Sequence, residues 1–399
     1  MKHFCALVFL LLSNFLCFGQ FWQATTNFPS AERDDATGFA IGNFFYVGTG
    51  LTSWFAPTSD FYKYNASNAT WAQVAGLPQG EERQYACGFS HANSGFVFGG
   101  LRDTNYLNDL WRYDAQTDSW QQVASLPAAG RSGATCFVLA DTAYFVGGKT
   151  KNNLAINEVW AYNIATNSWQ QKSNFPAGGR WRASSAATFQ NGYLLFGKDE
   201  FGNYPPQFYE YNAQTEQWTN LGQFPLAGRT HAQLVAQFNT LYVLMGIDSS
   251  ATFAKDIWRF ELVNSVWTQL NDLPAAPRRG GVAFAIQAPQ LFYTTGLDSA
   301  GTRTNQSWLY NLPISITENA LDKTVKIYPN PCADFLNINL ENLPKNALLS
   351  VYSVDGKFLF SQVLTEKNTK LKVQALAAGN YFLRIELGNT TLIKSFSKH

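Results

Sequence analysis

The sequence predicts an all-β fold, a ring of six four-stranded units followed by a small Ig-like β-sandwich, on three observations. Trp22, Trp71, Trp120, Trp169, Trp218 and Trp267 follow one another at a constant 49 residues, and only a repeat architecture keeps such a period. Between them lie short runs in which apolar and polar residues alternate, separated by Gly, Pro, Asn or Asp, the pattern of strands joined by turns. The composition is 16% aromatic and only 14% charged, with 30 Gly and 15 Pro, which suits rings packed on sheets better than long helices. Four strands per unit make each unit the blade of a six-bladed β-propeller.

Each element of the unit keeps its place. Phe28-Pro29, Leu77-Pro78, Leu126-Pro127, Phe175-Pro176, Phe224-Pro225 and Leu273-Pro274 follow the tryptophans, and then come Arg33, Arg83, Arg131, Arg180, Arg229 and Arg278. A hydrophobic strand next closes on Gly50, Gly100, Gly148, Gly197, Gly246 or Gly296. After a polar loop, an aromatic strand such as 110–113 or 159–162 leads to the next Trp. The phase also predicts how the ring closes. The next Trp after Trp308 would fall near Thr317, so the sixth unit lacks its last strand, while Phe21-Trp22-Gln23 is an orphan with the sequence of that strand. Pairing it with the unit at 278–311 leaves no open seam.

Arg131-Ser132-Gly133, Tyr144-Phe145-Val146-Gly147-Gly148, the run 158–163 ending in Tyr162-Asn163, and Ser168-Trp169 stand in an order that recurs around the chain. This order resembles the kelch repeat over about residues 20–312, and implies a kelch-type propeller spanning 20–313. Thr49-Gly50, Phe196-Gly197, Met245-Gly246 and Thr295-Gly296 lack the family's double glycine, which puts the local loop shape there in question.

The ends of the chain differ from its middle. Lys2 and His3 precede an apolar run at 4–12 and a short segment ending at Gly19, so residues 1–19 read as a signal peptide. No later stretch is apolar for long enough to span a membrane. Removing the signal leaves Cys87, Cys136 and Cys332, an odd number that argues against a disulfide framework. Cys87 and Cys136, ten residues after Leu77 and Leu126 respectively, read as buried thiols at equivalent places in adjacent repeats. Beyond Pro313 the repeat stops, a linker occupies 314–323, and seven short alternating runs between 325 and 396 predict the sandwich. Ile327-Tyr328-Pro329-Asn330-Pro331, Leu336-Asn337-Ile338, Val351-Tyr352-Ser353-Val354-Asp355-Gly356 and Gly379-Asn380-Tyr381-Phe382-Leu383 resemble the C-terminal sorting domain (type A) of the type IX secretion system over 324–399. That resemblance implies the type IX machinery as a partner, and a protein secreted or attached to the outer-membrane surface by way of the periplasm.

The chemistry is less explicit. A net charge of +1 gives no pull toward nucleic acid or anionic membrane. No His, Cys and carboxylate cluster has metal-ligand spacing, and no nucleophile elbow, phosphate loop or dinucleotide fingerprint occurs, so no metal or cofactor is expected. The arginine present in every unit reads as scaffold, bracing its loop through carbonyls. The two positions after it vary: Asp34-Asp35, Gln84-Tyr85, Ser132-Gly133, Trp181-Arg182, Thr230-His231 and Arg279-Gly280. Rings for stacking and charges for orientation near one mouth suit a small polar or sugar ligand. Candidate ligand-binding residues are Asp35, Tyr85, Arg102, Tyr106, Trp181, Arg182, Glu200, His231 and Arg279, with Trp54, Asp103, Lys149, Lys198, Tyr204, Asp298 and Arg303 on neighbouring loops. Two readings follow, a non-enzymatic module binding a glycan, peptide or protein, and a sugar mutarotase resembling the sialic-acid mutarotases with Glu200 and Arg182 as its acid/base pair.

Overall fold

The computed structural model describes residues 21–312 and 325–399, apart from 154, 189–190, 238, 263, 287–289, 344–346, 354–357 and 388–389. The signal peptide at 1–19, Pro313 and the linker at 314–323 lie outside the described residues.

Six four-stranded antiparallel sheets follow one another around an axis. The first comprises Thr37–Ile41, Phe44–Gly48, Phe61–Asn65 and Thr70–Val74, and the next four repeat that order through residue 269. The sixth consists of Val282–Ile286, Gln290–Thr294, Ser307–Asn311 and, from the other end of the chain, Trp22–Thr25. Trp22 pairs with Tyr310 and Thr25 with Ser307. Each repeated Trp stands across from an aromatic residue of the preceding strand, Tyr64 for Trp71 and Tyr113 for Trp120, and the terminal strand reproduces this with Trp22 on Tyr310 at 5.0 Å between ring centres. Such ring pairs contribute about 1 kcal/mol beyond the area they bury. Several of the indoles also tie one blade to its predecessor: the Nε1 groups of Trp71, Trp120, Trp169 and Trp22 donate to the carbonyls of Thr26, Ala75, Ala124 and Asn271 at 2.7–2.9 Å. The period of 49 is thus the spacing of an interblade tether.

The repeated arginines are all buried, and four of the six pair with a carboxylate at or just before the third strand of the same blade. Arg33 grips Asp60 with both terminal nitrogens at 2.6 and 3.0 Å, Arg83 grips Asp109 at 2.8 and 2.9 Å, and Arg229 grips Asp256 at 2.6 Å through each nitrogen. Arg131 meets Glu158 at 2.8 Å and Arg278 meets the Gln306 amide oxygen at 3.0 Å. Carbonyls add to these bonds, as expected, but the acids carry the brace.

At the double-glycine positions one conformation persists whatever the residue. Thr49, Phe196, Met245 and Thr295 have φ of 56°, 69°, 59° and 63°, beside 59° at Gly99 and 69° at Gly147. The loops lacking the glycine pair therefore keep the family's turn, contrary to the doubt the sequence raised.

Beyond residue 325, a three-stranded sheet (Val325–Tyr328, Phe335–Leu340, Asn368–Lys372) and a four-stranded sheet (Leu348–Ser353, Phe358–Val363, Gly379–Leu387, Thr390–Lys398) share one core. Alternation in Phe335–Leu340 buries Leu336, Ile338 and Leu340, the period of a sheet with one covered face. Among the described residues no helix is long and apolar enough to cross a membrane.

Candidate functional site at the hub of the ring

The two positions after each repeated arginine form two concentric sets. At the first, Asp34, Gln84, Ser132, Trp181, Thr230 and Arg279 pair through the backbone with Leu51, Leu101, Lys149, Lys198, Ile247 and Leu297, the residues after the closing glycines. At the second, Asp35, Tyr85, Gly133, Arg182, His231 and Gly280 are all left-handed, with φ between 56° and 67°. The N–H of Asp35 donates to the carbonyl of Gly280 at 2.7 Å, Tyr85 to Asp35 at 3.3 Å, Gly133 to Tyr85 at 2.8 Å, Arg182 to Gly133 at 2.8 Å and Gly280 to His231 at 3.1 Å. A belt of backbone hydrogen bonds thus offsets the strain of side chains held at positive φ.

Two glycines in the belt make room for their neighbours. A Cβ on Gly133 would lie 2.5 Å from Trp181 Nε1, and one on Gly280 would lie 2.7 Å from Asp35 Oδ1. Into that space Arg182 reaches from the fourth blade to bond Asp35 of the first, directly opposite, with its guanidinium 4.5 Å above the Tyr85 ring. His231 Nε2 lies 3.8 Å from the same carboxylate, and its Nδ1 shares a hydrogen bond of 2.8 Å with Thr230 Oγ1. Arg279 Nη1 stands 3.2 Å from Asp34 and 3.5 Å from Asp35, while Arg303 Nε donates to Asp34 at 2.6 Å. The rings of Tyr85, Trp181 and His231 meet edge to face at 5.8–6.4 Å.

Burial, reinforced by the neighbouring Asp35 charge, raises the Asp34 carboxyl to about 6. Burial, with repulsion from Arg182 and Arg279, holds His231 well below its ordinary value, so it stays neutral at neutral pH. Burial and Asp35 push the Tyr85 phenol up to about 12. Three guanidiniums therefore face two carboxyls and a neutral imidazole. Gln84 Oε1 and Trp181 Nε1 are buried without a hydrogen-bond partner, while Arg279 Nη1, Asp34 Oδ2 and Asp35 Oδ2 meet one another as ion pairs at 3.2 and 3.5 Å without forming a hydrogen bond. On the channel side, Asp35, Tyr85, Arg182 and His231 cap a cavity of about 450 Å³ lined mostly by small residues, among them Ala36, Ala86, Ala134 and Ala183.

The structure brings Asp35, Tyr85, Trp181, Arg182, His231 and Arg279 together and leaves Arg102, Tyr106 and Glu200 outside. Arg102 is committed to the carbonyl of Gly80 and to Glu81. Tyr106 sits in a hairpin opposite Leu101. Glu200 is exposed and accepts the N–H of Gly179 at 2.6 Å. The carboxylate beside Arg182 is Asp35, so the expected pairing of Glu200 with Arg182 does not form. Asp34 and Arg303 belong to the hub, and residue type alone did not rank them above other loop positions. Trp54, Phe55 and Phe201 lie 75–88% exposed on the polar loops after the closing glycines, with Arg303 stacked 4.8 Å over Phe55. Among the described residues no group of three His, Cys, Asp or Glu could hold a metal ion.

Six sheets set radially around a capped channel define the class as β-propeller. The chain belongs to the kelch-type β-propellers: residues 124–347, more than half of it, match the Attractin/LZTR1 beta-propeller family, and residues 20–198 match the KLHDC2/KLHL20/DRC7 Kelch-repeats domain. Residues 326–399 match the secretion system C-terminal sorting domain, which assigns the protein to type IX export, to the cell surface or the medium. A solved structure, that of YjhT, superposes with a TM-score of 0.64 at 17% identity, covering 73% of this chain and 98% of the other, a likeness of fold alone. No curated protein matches the chain.

Proposed function

We propose that this exported propeller is a binding module whose hub takes the end of a glycan. The observation that carries the reading is an unpartnered buried donor and acceptor, Trp181 Nε1 and Gln84 Oε1, beside a cluster of Arg279 Nη1, Asp34 Oδ2 and Asp35 Oδ2 that is ion-paired at 3.2 and 3.5 Å yet makes no hydrogen bond. A buried orphan costs about 1–3 kcal/mol, and a sugar hydroxyl serves donor and acceptor alike. The faces of Tyr85 and Trp181 and the exposed Trp54, Phe55 and Phe201 add stacking surfaces of the kind that ring C–H groups favour. Glycan-array binding by the chain from residue 20 onward tests this. Retained glycans should be lost in Arg279→Ala and kept in Arg102→Ala. An empty array, or binding indifferent to Arg279, overturns the reading.

One observation favours a second reading, opening and closing of a sugar ring. With its carboxyl raised to about 6, Asp34 exchanges its proton close to neutrality, as an acid/base catalyst needs. Equilibration of sugar anomers followed by NMR should then accelerate with the wild type and not with Asp34→Asn. In both readings residues 1–19 direct export, 20–313 form the ring, and 324–399 are the address. Deleting 320–399 should strand the protein in the periplasm.

A further inference from the structure

Inside the channel, the inner strands of neighbouring blades meet along seams, and the repeat shows which side chains face each other. Between Thr135–Leu139 and Ser184–Ala187, the hydroxyls of Thr135 and Ser185 share a hydrogen bond, and Ser185 Oγ donates to the carbonyl of Cys136 at 2.8 Å. One blade back, the equivalent positions hold Cys87 and Cys136. There Cys136 Sγ lies 3.6 Å from the carbonyl of Gly88, as Ser185 Oγ lies against that of Cys136, and Cys87 stands across the seam from Cys136 where Thr135 stands across from Ser185. One blade further back, a Cβ on Gly88 would lie 2.8 Å from Thr37 Oγ1. The same juxtaposition recurs at three seams, and at one of them both partners are sulfur.

This corrects the sequence register, which placed Cys87 and Cys136 at equivalent positions. Arg83 follows Leu77 by one residue more than Arg131 follows Leu126, so Cys87 corresponds to Thr135 and Cys136 to Gly88. The two thiols, expected to be buried, are half-buried on the channel wall and face each other.

We propose that Cys87 and Cys136 close into a disulfide once the chain reaches an oxidising compartment, stapling the second blade to the third. The sorting domain takes the protein out of the cytoplasm, and exported thiols in contact become bridges where the medium is oxidising. Two S–H bonds break and one S–S bond forms. The protons go to solvent, and the two electrons go to the disulfide of a thiol–disulfide oxidoreductase, which leaves as a dithiol after a mixed-disulfide step. Burial, with the facing Cys136, raises the Cys87 thiol, which slows attack by its thiolate. Cys332, buried in the C-terminal core, is the odd thiol.

The test uses the exported chain recovered from the medium, denatured without reductant and alkylated. The wild type should take label at Cys332 alone and yield a joined peptide pair about 2 Da lighter than its two reduced halves. A reductant should lower its Tm by about 5 °C. Cys136→Ser should melt at one temperature with or without reductant, and Cys332→Ser should keep the shift. Labelling of all three cysteines in the exported wild type, or an equal reductant shift in Cys136→Ser, overturns the proposal.

Discussion

The braces and the left-handed belt of the hub lie two residues apart along the chain and use repetition in opposite ways. In the braces the side chain repeats: an arginine in every blade, met by Asp60, Asp109, Glu158 or Asp256, or by the amide of Gln306. In the hub only the backbone repeats, with Asp, Tyr, Gly, Arg, His and Gly adopting one left-handed conformation. The first arrangement is stability replicated around a ring. In the second, a fixed backbone belt displays six different side chains around an axis, so identity can change there without disturbing the blades. The fourth blade departs from the first rule, since Arg180 bonds the Gly179 carbonyl and has no carboxylate partner among the described residues.

That contrast can be broken at several points. Arg229→Ala should cost about 3–5 kcal/mol in urea unfolding, because it leaves the buried Asp256 carboxylate without its cation. Arg180→Ala should cost about 1–2 kcal/mol by the same measurement, since no buried charge is orphaned. Equal losses would show that the carboxylates do not carry the brace. Gly133→Ala should cost about 2 kcal/mol and alter Trp181 fluorescence, because the methyl group meets Trp181 Nε1 at positive φ. His231→Gln addresses the hub's electrostatics. With its folded pKa depressed, His231 contributes stability above its unfolded value near 6.5, lost as pH falls and the unfolded chain takes up the proton. The wild type should therefore lose about 1 kcal/mol more than the variant between pH 6.5 and 5.5, read from Tm against pH. Glu200→Gln, on the exposed rim, should change stability by less than about 0.5 kcal/mol. A larger effect would draw Glu200 back into the hub's energetics.

Sequence and structure agree most closely where a residue type answers a geometric need. The tryptophans are legible because each packs on the aromatic residue across from it and four of them tether neighbouring blades, and the orphan Phe21-Trp22-Gln23 because its partner Tyr310 keeps phase. The belt is not legible, since nothing in Asp35, Tyr85, Arg182 or His231 announces positive φ, and only Gly133 and Gly280 hint at it. The acids that hold the braces lie 26 or 27 residues beyond their arginines, too far apart to be read as pairs before the blade is folded. The thiol contact was hidden by a single extra residue in one loop. Glu200 looked like the partner of Arg182 because the two are near in sequence, whereas Asp35, 147 residues away, is the one the ring carries across to it.

The strand Trp22–Thr25 also sets a schedule. It is the first strand of the ring in chain order and must wait for Ser307–Asn311, nearly the whole propeller later, before it has a partner. Until then the sixth sheet lacks its outer strand and its edge is open to other chains. The sorting domain follows Ser307–Asn311, the strand that presents that edge, in the chain. A chain that displays its export address has therefore already brought out everything its ring needs to close.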